Sequence, residues 1–118
     1  MAKNKKIKVG IIGVGNCAKS LVEGVQYYAE NNKAETGVMK TDIGGYLAGD
    51  VEFVVGFDID ERKIGLPLGE SLQQRPNSAW SIVDKIDSKA PVYESPVIDG
   101  YAGLMDSYPE ENRFLVSE

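Results

Sequence analysis

Gly13-Val14-Gly15-Asn16-Cys17-Ala18 is a G-x-G-x-x-A pattern, and glycines at that spacing bring a backbone close to a phosphate. Gly13 permits a tight turn out of a preceding strand. Gly15 lacks a Cβ and leaves room for a pyrophosphate, with Val14 between the two glycines; Ala18 stands where a third small residue lets helix and strand pack closely. The amides from Asn16 through Cys17 to Ala18 would face the phosphates and add the positive end of a helix dipole. A bland alternative is that the glycines only make a tight strand-to-helix turn. Such a site also needs an acid at the end of the second strand, accepting hydrogen bonds from adenosine ribose hydroxyls. Asp58 is the first candidate, with Ile59 beside it, and Asp60 is the second. Either could instead cap a following turn. An acid at this point repels a 2′-phosphate, so the expected cofactor is NAD rather than NADP.

These residues do chemistry only if the right elements hold them. Ile7–Ile12 is a β-branched run that reads as a parallel strand buried on both faces. From Asn16 to about Asn31 the period changes: Ala18, Leu21, Val22 and Val25 fall on one helical face, with Lys19, Glu23 and Gln26 opposite. Gly24 inside that helix costs roughly 1 kcal/mol relative to alanine, which close packing against a neighbour would explain. Positions 32–50 lose periodicity, gather glycines and read as a long excursion. Val51–Ile59 is the second strand. Asp58 lies 43 positions beyond Gly15, against a usual spacing of about 20, and the excursion accounts for the excess. Further on, helical turns are expected within 61–74, a short helix or strand over 78–86, and an edge strand or extended loop over 91–98. A turn at Asp99-Gly100, a helical turn near 104–108 and an apolar stub at 114–116 follow.

The whole is an α/β chain, a partial Rossmann-type dinucleotide-binding domain with an irregular C-terminal extension. Its 118 residues make one small domain. A net charge of −5 argues against a general role on nucleic acid or an anionic membrane; Lys3, Lys5, Lys6 and Lys8 read as a solvated tail. No apolar run reaches the ~20 residues that span a bilayer. With Cys17 as the only cysteine no internal disulfide can form, and a reducing, cytoplasmic setting is expected. Cys17 reads as a small residue beside the cofactor, and Tyr27, Tyr28 and Tyr46 as packing. Histidine is absent, which removes the commonest general base. No acidic spacing reads as a metal site, and no catalytic residue is assigned.

Val9 to Tyr28, with Gly-Val-Gly-Asn-Cys-Ala and paired tyrosines, resembles the start of the inositol-phosphate synthases. So does Val51 to Gly65, with Phe-Asp-x-Asp followed by Lys63 and Gly65. The likeness is good over 7–65 and looser at Pro96 to Gly100. It implies an enzyme that converts glucose 6-phosphate to inositol phosphate with bound NAD, by internal oxidation, aldol ring closure and reduction, a net isomerisation. It implies that Gly13, Gly15, Asn16, Cys17 and Ala18 cradle the pyrophosphate and that Asp58 holds the ribose. It also implies catalytic lysines in a second domain beyond this chain, through which the family assembles as tetramers. A stretch of this length is then expected to be an N-terminal fragment without turnover of its own. Two other readings stay open: a piece of another nicotinamide-dependent dehydrogenase, and a free-standing NAD-binding or regulatory module.

Overall fold

The computed structural model describes residues 6–31, 37–38, 42–98 and 103–116. Strands β1 (Ile7–Ile12), β2 (Val51–Asp58) and β3 (Val92–Glu94) form one parallel sheet in the order β1-β2-β3. Helix α1 (Asn16–Glu30) joins the first pair, and a single helical turn, α2 (Leu68–Ser71), lies in the connection to the third. This is α/β architecture of a partial Rossmann-like kind, with an irregular C-terminal extension, as the sequence led us to expect. The Asp99-Gly100 turn lies outside the described residues, as does much of the 32–50 excursion. What is described of that excursion holds a tight turn closed by the Ile43–Tyr46 pair and a 3-10 turn at Ala48–Asp50. No helix among the described residues is long and apolar enough to cross a membrane.

Parallel strands need a crossover that packs on the sheet, and here the packing lies on one side. Ile11, Val14, Ala18, Val22, Leu68, Leu72, Ile86, Ala90 and Val92 form the core, with Phe53 and Val83 against it. β1 is therefore not buried on both faces. Ile11 is inside, whereas Ile12 beyond it is 85% exposed and Ile7 is exposed as well. Within the described sheet β1 is an edge strand.

The buried face of α1 also departs from the apolar stripe. Leu21 is exposed, whereas Lys19 and Glu23 are buried beside Ala18 and Val22. The cause is the stretch 78–90, which is neither helix nor strand and lies across α1. Irregular chain offers unpaired main-chain groups, which side chains such as Lys19 and Gln26 can meet; the Glu23 carboxylate makes no hydrogen bond among the described residues. Lys19 donates to the Ala79 carbonyl and to Ser81 Oγ. Gln26 donates to the Lys85 carbonyl and accepts from the Asp87 amide. The Lys19 ammonium stands 3.6 Å from the Glu23 carboxylate one turn on.

Glycine does different things in different places. A Cβ at Gly24 would meet nothing within 4 Å, so close packing is not the reason for it. Gly69 is the reverse, because its Cβ would run into the backbone carbonyls of Ile86 and Ser88.

β2 contains one irregularity with a large effect. The register runs Val9 to Phe53 and then Gly10 to Val55, so Val54 is an extra residue, a bulge. Side chains alternate along a strand, and an extra residue reverses which ones face inward. Phe53 packs against the core before the bulge. After it, Gly56 faces Val14, Leu68 and Val92, and Asp58 is turned to the same side.

Gly24→Ala should stabilise the chain by about 1 kcal/mol, the helix-propensity difference. Gly69→Ala should destabilise it by roughly 1–3 kcal/mol through overpacking against immovable carbonyls. Urea denaturation of the two variants beside the parent checks both signs.

Candidate functional site

The site lies where the C-terminal ends of the three strands meet the first turn of α1. Leaving β1, the chain enters Gly13 at φ 95°, a left-handed conformation that costs a side chain heavily. Gly13 donates its amide to the Phe57 carbonyl at 2.8 Å, so the turn is stitched to β2. Gly15 caps α1 in extended geometry without a side-chain hydrogen bond. The first rung of the helix is Lys19 N–H to the Gly15 carbonyl, 2.9 Å. Hence the amides of Asn16, Cys17 and Ala18 precede any carbonyl they could bond within the helix, as at every helix start. A Cβ at Gly15 would meet nothing within 4 Å, so the space beside the start of the helix at Gly15 is open.

Val14, between the glycines, is gripped at both ends of its backbone. Its amide donates to Asp58 Oδ2 at 2.7 Å. Its carbonyl accepts from Lys63 Nζ at 2.7 Å and from Asn77 Nδ2 at 3.1 Å. Lys63 Nζ also donates to Asn77 Oδ1, 3.0 Å, and Asn77 Nδ2 reaches the Leu72 carbonyl. Lys63 is fully buried. Burial pushes its ammonium below the ordinary value of 10.5, opposed by the charges of Asp58 and Asp60.

The two acids that compete in sequence are separated by their hydrogen bonds. An ionised carboxylate has about four lone-pair sites. Asp60 fills all of them. Oδ1 accepts from Arg62 N–H and Nε, both at 2.9 Å, and Oδ2 accepts from Arg62 Nη2 at 2.7 Å and Leu115 N–H at 3.1 Å. It has no capacity left for a ribose hydroxyl, and the sequence alternative to Asp58 falls. Asp58 gives one site on Oδ2 to Val14 and one on Oδ1 to the Asp60 amide, 2.8 Å, which leaves one on each oxygen. Burial would raise the Asp60 pKa, but hydrogen bonds from Arg62 and Leu115 and the Arg62 charge outweigh it and hold the carboxyl below 3.8.

A cavity of about 620 Å³ opens at this point, lined by Ile12, Gly13, Gly15, Phe57, Asp58, Ile59, Lys63, Ser95, Pro96, Ile98 and Phe114. That volume is in the range of small-molecule sites. Of the residues singled out in sequence, Gly13, Gly15, Asp58 and Ile59 share this wall. Val14 and Ala18 are buried beneath it. Cys17 is exposed on the first turn of α1. Asn16 turns its side chain aside, with Oδ1 accepting the amides of Ser78 and Ala79 at 2.7 and 2.8 Å. Tyr27 and Tyr28 pack edge to face on each other, 5.1 Å between ring centres. Lys63 figures in sequence only through the family likeness; Asn77 carries no signal there, and Ser95 and Phe114 figure only within an expected strand and an apolar stub. Among the described residues no group of three His, Cys, Asp or Glu could hold a metal ion.

A strand, a glycine turn, a helix with open first-turn amides and an acid ending the next parallel strand make up the phosphate-binding unit of Rossmann-type domains. Known proteins narrow the class. The chain is 42% identical over 97 residues to the inositol-3-phosphate synthase of Mycolicibacterium smegmatis, covering 80% of this chain and 27% of that protein. It is 41% identical over 96 residues to the inositol-3-phosphate synthase of Corynebacterium glutamicum, covering 80% and 26%. Among solved structures it matches a myo-inositol-1-phosphate synthase-related protein from Thermotoga maritima MSB8 with a TM-score of 0.60 and 27% identity, over 86% of this chain and 28% of that one. The crystal structure of Ari2 gives a TM-score of 0.68 and 26% identity over 77% and 29%. No family model matches. Over four fifths of its length the chain is thus a homologue of the inositol-3-phosphate synthases, and it spans about a quarter of the length of the curated relatives it matches.

Asp58→Ala would leave the buried amides of Val14 and Asp60 without an acceptor, at a cost of about 1–3 kcal/mol each; thermal unfolding should show that loss at neutral pH. The Asp60 pKa is depressed in the fold, so its stabilisation is complete above the unfolded-state value and is lost as pH falls through the folded one. The melting temperature should therefore drop below about pH 4, and Asp60→Asn should lower it at neutral pH while flattening the acid limb.

Proposed function

We propose that this chain is the NAD-binding part, a single N-terminal domain, of an inositol-3-phosphate synthase. Such an enzyme converts D-glucose 6-phosphate to 1L-myo-inositol 1-phosphate. One observation carries most weight: the open space at Gly15, where α1 begins, faces the same cavity as a carboxylate with two acceptor sites to spare. A dinucleotide fits that set of groups. Its pyrophosphate would lie over Gly13 and Gly15, where no Cβ intrudes and the amides of Asn16, Cys17 and Ala18 point outward. Its adenosine ribose would donate two hydroxyls to Asp58. An anionic Asp58 tied to the Val14 amide would turn away a 2′-phosphate, so NAD is the cofactor and NADP is not.

NAD supplies a hydride store that is filled and emptied within one turnover, so that the overall change is an isomerisation. The part played by this chain is to hold and orient. Lys63 and Asn77 fix the Val14 carbonyl and would thereby hold the glycine turn in place for the phosphates. Ile12, Phe57, Ile59 and Ile98 would give the ligand an apolar wall. In this reading the sugar phosphate meets its catalytic groups in residues outside positions 1–118, in a cytoplasmic homotetramer, and the chain by itself binds NAD without turning over substrate.

Gly15→Ala separates binding from folding. Its Cβ would touch no protein atom, so stability should change by about 1 kcal/mol or less, the scale of an N-cap substitution. The same methyl group occupies the room of the pyrophosphate. Isothermal titration of the purified chain should show NAD affinity for the parent and a loss of about tenfold or more in the variant, with NADP weak in both. Equal NAD binding by parent and variant would take the pyrophosphate off the glycine turn.

A further inference from the structure

The stretch 110–116 is drawn onto the ends of the strands by one carboxylate. Asp60 is completely buried and receives the Leu115 amide, 3.1 Å, while the Glu61 amide donates to the Leu115 carbonyl at 2.7 Å. Arg62, fixed by two side-chain hydrogen bonds to Asp60, extends its remaining donors to two carbonyls of the same stretch. Nη1 reaches Glu110 at 2.8 Å and Nη2 reaches Arg113 at 2.6 Å. Asp60 also pairs with Val116 in a two-residue bridge. Three successive residues of β2's exit, 60–62, thus hold four positions of a strap some fifty residues away. The residue between the clamped positions 113 and 115 is Phe114, which lines the cavity that holds Gly13, Gly15 and Asp58. It stands there with Ile59, Ser95, Pro96 and Ile98, residues that follow the ends of β2 and β3.

We propose that Phe114 is the aromatic wall against which the purine base of the bound dinucleotide rests, and that Asp60 and Arg62 are positioning residues that keep it there. The proposal rests on the reading of the cavity as an NAD site. The placement follows from connectivity. Phosphates over the glycine turn and ribose on Asp58 leave the base to the next wall, which is the apolar one closed by Phe114. An aromatic ring offers a base a stacking surface that needs no hydrogen-bond pattern. The bidentate Arg62 fork on Asp60 explains why that ring is supplied by a strap and not by the strands: a rigid clamp lets an irregular segment present a side chain at fixed depth.

The test is titration of the full chain with NAD and with AMP, for the parent, Phe114→Ala, Phe114→Trp, Asp60→Asn, Arg62→Lys and the double variant of Asp60→Asn with Phe114→Ala. Phe114→Ala should weaken NAD and AMP alike by about tenfold, within the range of single base–aromatic contacts, and Phe114→Trp should restore binding. Arg62→Lys keeps the charge but loses the fork; it and Asp60→Asn should each weaken both ligands and speed hydrogen exchange at the Leu115 amide. In the Phe114→Ala background Asp60→Asn should add less than about twofold, since its effect passes through that ring. If Asp60→Asn weakens binding equally with and without Phe114, its role is structural and the positioning claim is overturned. Parent-like affinity in Phe114→Ala overturns the base wall while leaving the NAD site standing. A parent chain that binds neither ligand overturns the NAD reading and this inference with it.

Discussion

Everything at the business end of this chain hangs on the peptide of Val14. Its N–H goes to the carboxylate that ends β2, and its C=O goes to a buried lysine and an asparagine from further along. A glycine turn by itself is loose, because glycine loses more backbone freedom on ordering than any other residue. Here two charge-assisted bonds and a neutral one, all out of bulk water, hold the one non-glycine residue in the turn. Gly13 and Gly15 are left to do what lacks a Cβ requires, one at positive φ and one under open space. Turn, strand end and the chain leading to α2 are thus joined at one point. The same carboxylate fixes the turn and still presents two lone pairs outward.

The pair Asp58 and Asp60 shows how little residue type decides. Both are acids, both are buried, and they are two positions apart on the same stretch. One is saturated by a guanidinium and two amides and serves only to hold chain. The other is half-used. Electrostatics at the site follow from this division: Arg62 pairs with Asp60 directly, whereas Asp58 has no such partner among the described residues and, ahead of Asp60, opposes the effect of burial on Lys63.

What could be read in the sequence was what local pattern encodes. The β-branched run before Gly13, the helix after Gly15 and the apolar strand before Asp58 all lie within a residue or so of their expected positions, because each is fixed by spacing within itself. The open first turn of α1 follows from the glycines directly. Illegible parts depend on distant chain. Lys19 and Glu23 look like a solvent face until 78–90 is laid over them. Asn77 and Phe114 have neighbours that identify nothing, and their roles arise from hydrogen bonds spanning roughly fifty to sixty positions. The expectation of a strand buried on both sides assumed that apolar residues are always covered; in this sheet Ile12 is not.

The bulge at Val54 gives β2 something like a reading frame. Chain before it and chain after it are read onto opposite phases of the pleat, and only the shifted phase brings Asp58 to Val14. What this stretch must conserve is therefore a count rather than an identity. Val54 is partly exposed, so many side chains can stand there, but a chain one residue shorter would deliver the same acid to the wrong side of the sheet with every residue of the motif still present. At the bulge itself substitution costs little, whereas a deletion anywhere between it and Asp58 would cost the site its acid.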